Sequence, residues 1–227
     1  MKKIFLLIII YCILITPVFA QSVDLIWQGD SYTPPFYQGR TLWSKQSKIT
    51  LVAIPQGLGS ASSLNYKWTK TGTVLGNING VGRNTISFMD SIISRPQTIK
   101  VEILATDKTV LASDTVVVSS VSPTLAVYEN NPLYGYMFHR ETSGTHTLQD
   151  KEVTFAAFPL FFSITDRQDS AIQYEWRTNI GGAETQNSVT YRAPDDASGS
   201  SEVRVSISNE NQITQSANKS FLIEFGK

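Results

Sequence analysis

Cysteine is almost missing from this 227-residue chain, and the single one, Cys12, lies inside an apolar N-terminal run. Met1-Lys2-Lys3, the run from Ile4 to Ile15 and the exit TPVFA have the charged, apolar and small-residue parts of a secretory signal peptide. Val18 and Ala20 meet the small-residue requirement, so cleavage is expected after Ala20, leaving residues 1–20 as the signal peptide and a secreted or envelope-located chain. The alternative is an uncleaved anchor, for which residues 4–20 are short against the roughly 20 apolar residues of a membrane span. Tyr11, directly before Cys12, removes the small residue that a lipoprotein signal needs there. Once residues 1–20 are gone, disulfides, thiolate metal sites and a cysteine nucleophile are excluded.

One-sided charge is lacking too. Without Lys2 and Lys3 the chain carries 17 basic and 19 acidic side chains, a formal −2, with no long block of either sign. Nucleic-acid binders and anionic-membrane binders carry a basic patch, so neither partner is expected, and a membrane role is left only to an uncleaved N-terminal segment. There is no Gly-x-Ser-x-Gly elbow, no phosphate-binding loop and no His-Glu-x-x-His, so no catalytic residue, cofactor or enzymatic activity is expected.

What the chain does have is a repeat. LNYKWTKTG (64–72) returns as IQYEWRTNI (172–180), KITLVAIP (48–55) as EVTFAAFP (152–159), and RNTISF (83–88) as QNSVTY (186–191). TIKVEI (98–103) returns as EVRVSI (202–207), ASDTVVV (112–118) as ANKSFLI (217–223), and PFYQG (35–39) as PLYG (132–135). Two copies of one domain of about 100 residues explain this, at residues 21–120 and 121–227.

Inside each copy the apolar residues alternate. Leu64, Tyr66 and Trp68 oppose Asn65, Lys67 and Thr69, and Ile172, Tyr174 and Trp176 oppose Gln173, Glu175 and Arg177. Period two marks strands with one buried face, so Trp68 and Trp176 belong to cores and are not sugar platforms. Gly-, Asn- and Asp-rich turns separate the strands and no helical period is sustained, which predicts an all-β chain of two tandem β-sandwiches.

The Tyr-x-Trp strand, followed by TISF and then TIKVEILATD, resembles the PKD and bacterial Ig-like modules of extracellular proteins, over about residues 22–226. Where PKD modules commonly carry an Asp-Phe-Gly-Asp-Gly run after the tryptophan, this chain has TKTGT and RTNIG. The resemblance implies an exported module for display, spacing or adhesion, and it brings no catalytic residues with it.

Candidate chemistry is thin. His139 and His146, with Glu141 between them, would need to converge with a further ligand to hold zinc, and their spacing reads as a solvated loop. Asp166 and Asp169, and Asp195 and Asp196, lack the alternating order of a calcium loop. No metal is expected.

Surfaces are the better candidates. In PPFYQGRTLW and NPLYGYMFHR, prolines and aromatics cluster after the first strand, either as an aromatic contact site or as a plug closing one end of the sandwich. Tyr37 and Tyr134 recur at matching positions, which favours the plug for them, whereas Tyr136, Met137 and Phe138 are candidate interface residues. Leu160, Phe161 and Phe162 stand where the first copy has the polar QGLGSASS, and they either meet a partner or pack against the first copy. As an interface they imply that Phe161→Ser leaves the fold intact and abolishes partner capture. The expected function is a noncatalytic binding or scaffold protein with a protein partner. The alternatives are a glycan-binding accessory or wall-acting enzyme, and a two-domain assembly chaperone.

Overall fold

The computed structural model describes residues 20–89, 91–179 and 181–226. The expected signal peptide, with Cys12, lies outside the described residues except for Ala20. Five of the six phrases that the sequence repeats form strands in both copies; the sixth, PFYQG with PLYG, is a turn region. The first copy runs β1 (Ser22–Asp30), β2 (Lys48–Gln56), β3 (Asn65–Lys70), β4 (Thr73–Val74), β5 (Gly80–Val81), β6 (Thr85–Met89), β7 (Gln97–Leu104) and β8 (Val110–Val118). The second runs β9 (Thr124–Asn131), β10 (Gly135–Tyr136), β11 (Gly144–Thr147), β12 (Glu152–Leu160), β13 (Ile172–Thr178), β14 (Ala183–Glu184), β15 (Ser188–Arg192), β16 (Gly199–Asn209) and β17 (Ser216–Phe225).

The first copy forms sheets in the orders β1-β2-β6 and β4-β3-β7-β8, with β5 also on β3. The second forms β10-β9-β12-β15 and β11-β17-β16-β13-β14. In both, the chain leaves the first sheet after the second long strand, returns to it for β6 or β15 and then leaves it again, the Greek-key path of an Ig-like sandwich. The chain is therefore all-β, with tandem Ig-like folds. Turn chemistry follows the strand twist. The loop between β3 and β4 has two residues, Thr71 and Gly72, both at positive φ (46° and 81°), the hairpin geometry that suits twisted strands.

By contacts the chain falls into two compact units. One holds the described residues through Ile26 with Val52–Thr85 and Thr98–Val116; the other holds Trp27–Leu51, Ile86–Gln97 and the chain from Val117 onward. In the first unit Trp68 is fully buried, its indole N–H donating to the Arg83 carbonyl at 2.7 Å, and the Tyr66 hydroxyl donates to the Ala61 carbonyl at 3.1 Å. The second unit repeats both tethers: Trp176 donates to the Gln186 carbonyl at 2.8 Å and Tyr174 to the Arg167 carbonyl at 2.8 Å. Each ring fills the core while its one polar atom finds a carbonyl, which makes large aromatic burial favourable. Around Trp176 the core is closed by Val127, Phe155, Phe162, Val205 and Phe221 among others.

Candidate functional site

Alternation breaks down in β12, and that sets up the site. Phe155 and Ala157 point into the core, but Ala156 and Phe158, on the opposite face, are buried as well. Their equivalents in β2 are Val52 and Ile54, half-buried and exposed. A strand apolar at both parities is covered on both faces. The outer cover is a second cluster of Ala126, Tyr128, Ala156 and Phe158, with Phe36 and Leu160 packed on it. Phe36 lies 5.0 Å from Tyr128, 4.5 Å from Phe138 and 5.5 Å from Phe158, ring centre to ring centre. Arg167 holds its guanidinium 4.4 Å above the Phe158 ring and donates to the Asn187 side chain.

The candidate interface residues divide. Phe161 is 7% exposed and Phe162 0%, so neither offers a free surface, and the reading of the Leu160–Phe162 stretch as an exposed partner site is corrected for both. The Phe162 ring is in the core, and residues 32–37 bind the backbone of both and cover Phe161. The Tyr32 N–H donates to the Phe162 carbonyl and the Phe161 N–H to the Tyr32 carbonyl, both at 2.7 Å, and Tyr37 sets its ring edge-on to Phe161 at 5.4 Å. Phe161 sits at φ 64°, a conformation a bulky residue keeps only where packing on both sides holds it. Leu160 is half-buried against the outer cluster, and Met137, next to Phe138 in sequence, is half-buried. Tyr136 and Phe138 remain partly exposed at 40% and 37%, stacked on each other at 5.5 Å.

Sequence reasoning missed the most exposed apolar pair among the described residues. Leu133 is 85% exposed and Tyr134 77%, so Tyr134 does not share the packed position of its repeat mate Tyr37. The Asn131 side-chain oxygen accepts from the N–H groups of Leu133 (3.0 Å) and Tyr134 (3.3 Å) and holds the turn after β9 outward. The signal was in the sequence, since Asn-Pro initiates a turn.

A polar clamp, also unread, fastens residues 44–47 to the β16–β17 turn. Gln215 is 1% exposed; its amide N–H group donates to the Lys45 carbonyl (2.7 Å) and the Ser163 hydroxyl (2.9 Å), and its oxygen accepts from the Ser163 N–H (2.8 Å) and Asn209 (3.1 Å). Gln46 accepts from both the N–H and the hydroxyl of Thr214.

The titratable groups are held by structural partners. Hydrogen bonds from Lys100 and then Lys67 keep the Glu102 carboxyl below its ordinary range. Backbone N–H groups of Thr165 and Ala171 do the same for Asp169 within its turn. Asp166 accepts from the Gln168 N–H, and Asp195 pairs with Lys151. Burial pushes the Tyr191 hydroxyl up to about 12. Among the described residues no three His, Cys, Asp or Glu side chains converge as metal ligands. Glu141 instead binds Lys219, and His146 faces Glu129 at 3.9 Å.

His146 is the inward side chain of β11, its ring edge-on to Phe155 at 5.1 Å. Burial lowers its pKa; Glu129 opposes that shift and Arg140 adds to it. The folded state therefore takes up a proton less readily than the unfolded chain. Stability is complete above about pH 6.5 and declines as pH falls from there toward the lowered folded value. His146→Gln is expected to flatten this decline, read as urea midpoints between pH 5 and 7.5; a slope unchanged by the substitution would assign it to other groups.

No protein-family profile matches the chain. No curated protein matches it either. Among solved structures it is similar to the fibronectin(III)-like modules of Clostridium thermocellum CbhA, at 13% identity and a TM-score of 0.28, covering 88% of this chain and 93% of that one. It is also similar to the central fibronectin-III array of RIM-binding protein, at 14% identity and a TM-score of 0.27, covering 80% of this chain and 65% of that one.

Proposed function

We propose that the protein is an exported, noncatalytic binding or scaffold module of the cell surface or envelope, and that it holds a protein partner on the turn after β9. The observation that carries this reading is the exposure of Leu133 and Tyr134 on a turn whose neighbours Tyr136 and Phe138 are anchored in a buried aromatic cluster. An apolar pair presented from a rigid base loses little conformational freedom on binding, which is what a protein contact needs. Sugar stacking fits less well, because Phe138 already carries two rings, Phe36 and Tyr136, against it at low interplanar angles. Export is supported by the N-terminal sequence, and the absence of chemistry by the structural partners that account for the shifted carboxylates.

The double substitution Leu133→Ser and Tyr134→Ser tests it. Both side chains are exposed, so stability should stay within about 0.5 kcal/mol. A photo-crosslinker placed at Met137 in the native cells should give one dominant protein adduct, reduced at least tenfold by the double substitution. An adduct that survives it would move the contact elsewhere, and no adduct beyond the chain itself would sink the reading.

A further inference from the structure

The two copies differ at one sheet edge. In the second, β17 is an interior strand, because β11 pairs with it in parallel from Gly144 opposite Phe221 to Thr147 opposite Glu224. In the first, β8 ends its sheet. The nearest counterpart of β11 touches only at an isolated parallel bridge, Ser44 with Val121, beyond the last residue of β8. Among the described residues, then, no strand pairs with the outer side of β8.

Natural sheets blunt such edges with short strands, lysine, proline or bulges. The edge strands β4, β10 and β14 have two residues each. β8 has nine, VLASDTVVV, without lysine or proline. Its one charge, Asp114, lies half-buried on the inward parity of Ala112 and Val118 and is the strand's single blunting feature: one carboxylate oxygen accepts the Leu25 N–H at 2.8 Å and the other the Thr115 N–H at 2.7 Å. Val110, Leu111 and Val117 are 47%, 37% and 62% exposed.

The occupant is indicated by the strand's own pattern, which reads alike in both directions from Asp114. Ser113 mirrors Thr115, Ala112 mirrors Val116, Leu111 mirrors Val117 and Val110 mirrors Val118. Leu111, Ser113, Thr115 and Val117 are the exposed face, and Ala112 and Val118 the buried one. We propose that β8 pairs antiparallel with β8 of a second copy of this chain about a two-fold axis through Asp114, joining two sheets into one. That register sets Leu111 opposite Val117 and hydroxyl opposite hydroxyl on the outer face, the like-with-like pairs that stabilise antiparallel strands. The surface is self-complementary, as a two-fold interface requires. It also brings the two Asp114 carboxylates face to face, which limits its strength.

Sedimentation equilibrium of the isolated protein tests this. A dimer with a dissociation constant of about 10–100 µM is expected, in the weak range of small interfaces. Val117→Lys should abolish it with an unchanged circular dichroism spectrum. Asp114→Asn, whose amide oxygen still accepts the Leu25 N–H, should tighten it roughly two- to fivefold by removing a like-charge pair. Ser113→Cys protein mixed with Thr115→Cys protein should cross-link across the axis on mild oxidation. A chain monomeric at about 1 mM, a dimer indifferent to Val117→Lys, or one weakened by Asp114→Asn would overturn the proposal. So would capture of β8 by a strand of a different protein in place of the second copy.

Discussion

Phe162→Ser is expected to destabilise the second unit by about 3–5 kcal/mol, and Phe161→Ser by somewhat less. Phe162 has no exposed surface and lies in the core beside Phe155 and Trp176. Serine there leaves a ring-sized cavity and strands a hydroxyl in it. Phe161 loses its contact with Tyr37, though a smaller side chain at φ 64° also releases backbone strain. Urea denaturation followed by tryptophan fluorescence reads both. A midpoint close to that of the unsubstituted protein for Phe162→Ser would mean that the ring is not in the core. The Phe161→Ser outcome is opposite to that of the interface reading, in which the substitution spares the fold and removes a binding surface.

Gln215→Leu is the second large effect. Leucine preserves volume but withdraws both ends of an amide from a buried site, leaving the Ser163 N–H and the Lys45 carbonyl without their partners. Each stranded group costs about 1–3 kcal/mol, so a loss of roughly 3 kcal/mol or more is expected. Gln215→Glu should be as harmful, because it places a charge where an amide donor was. Amide hydrogen exchange distinguishes local from global loss. Faster exchange at Ser163 and Thr214 is expected first, and protection left intact at both would disprove the hub role of Gln215.

Much of the fold was legible because strand information is local. Alternation in LNYKWT and IQYEWR places Tyr66, Trp68, Tyr174 and Trp176 inside without reference to anything distant, and the repeat doubles the signal. The site was less legible because its parts meet across long sequence distances. Phe161 looks like a surface residue until Tyr37 is known to pack on it, and Phe162 until its ring is known to enter the core of Phe155 and Trp176. One clue was present and unread: Phe155, Ala156, Ala157 and Phe158 are apolar at both parities, which one-sided burial does not explain. Recurrence misled at Tyr134, where a shared Pro-x-Tyr pattern concealed an Asn-Pro turn in place of the Pro-Pro of Tyr37. Gln215 and Asn209 lie in a polar turn, SNENQITQ, and side chains of that kind are ordinarily solvated. Hydrogen bonds of Gln215 to Lys45 and Ser163, and of Asn209 to Ser163 and Gln215, hold them in the interior.

The cover that Phe36 provides over Phe158 also has a consequence for biosynthesis. A ribosome makes the chain from the N-terminus. The segment at 31–38 therefore emerges more than a hundred residues before the strand it must cover. At translation speeds of about 5–20 residues per second, its aromatic side chains wait several seconds or longer without their destination. During that interval Phe36 and Tyr37 are an uncovered aromatic stretch, the kind of transiently exposed surface that favours aggregation.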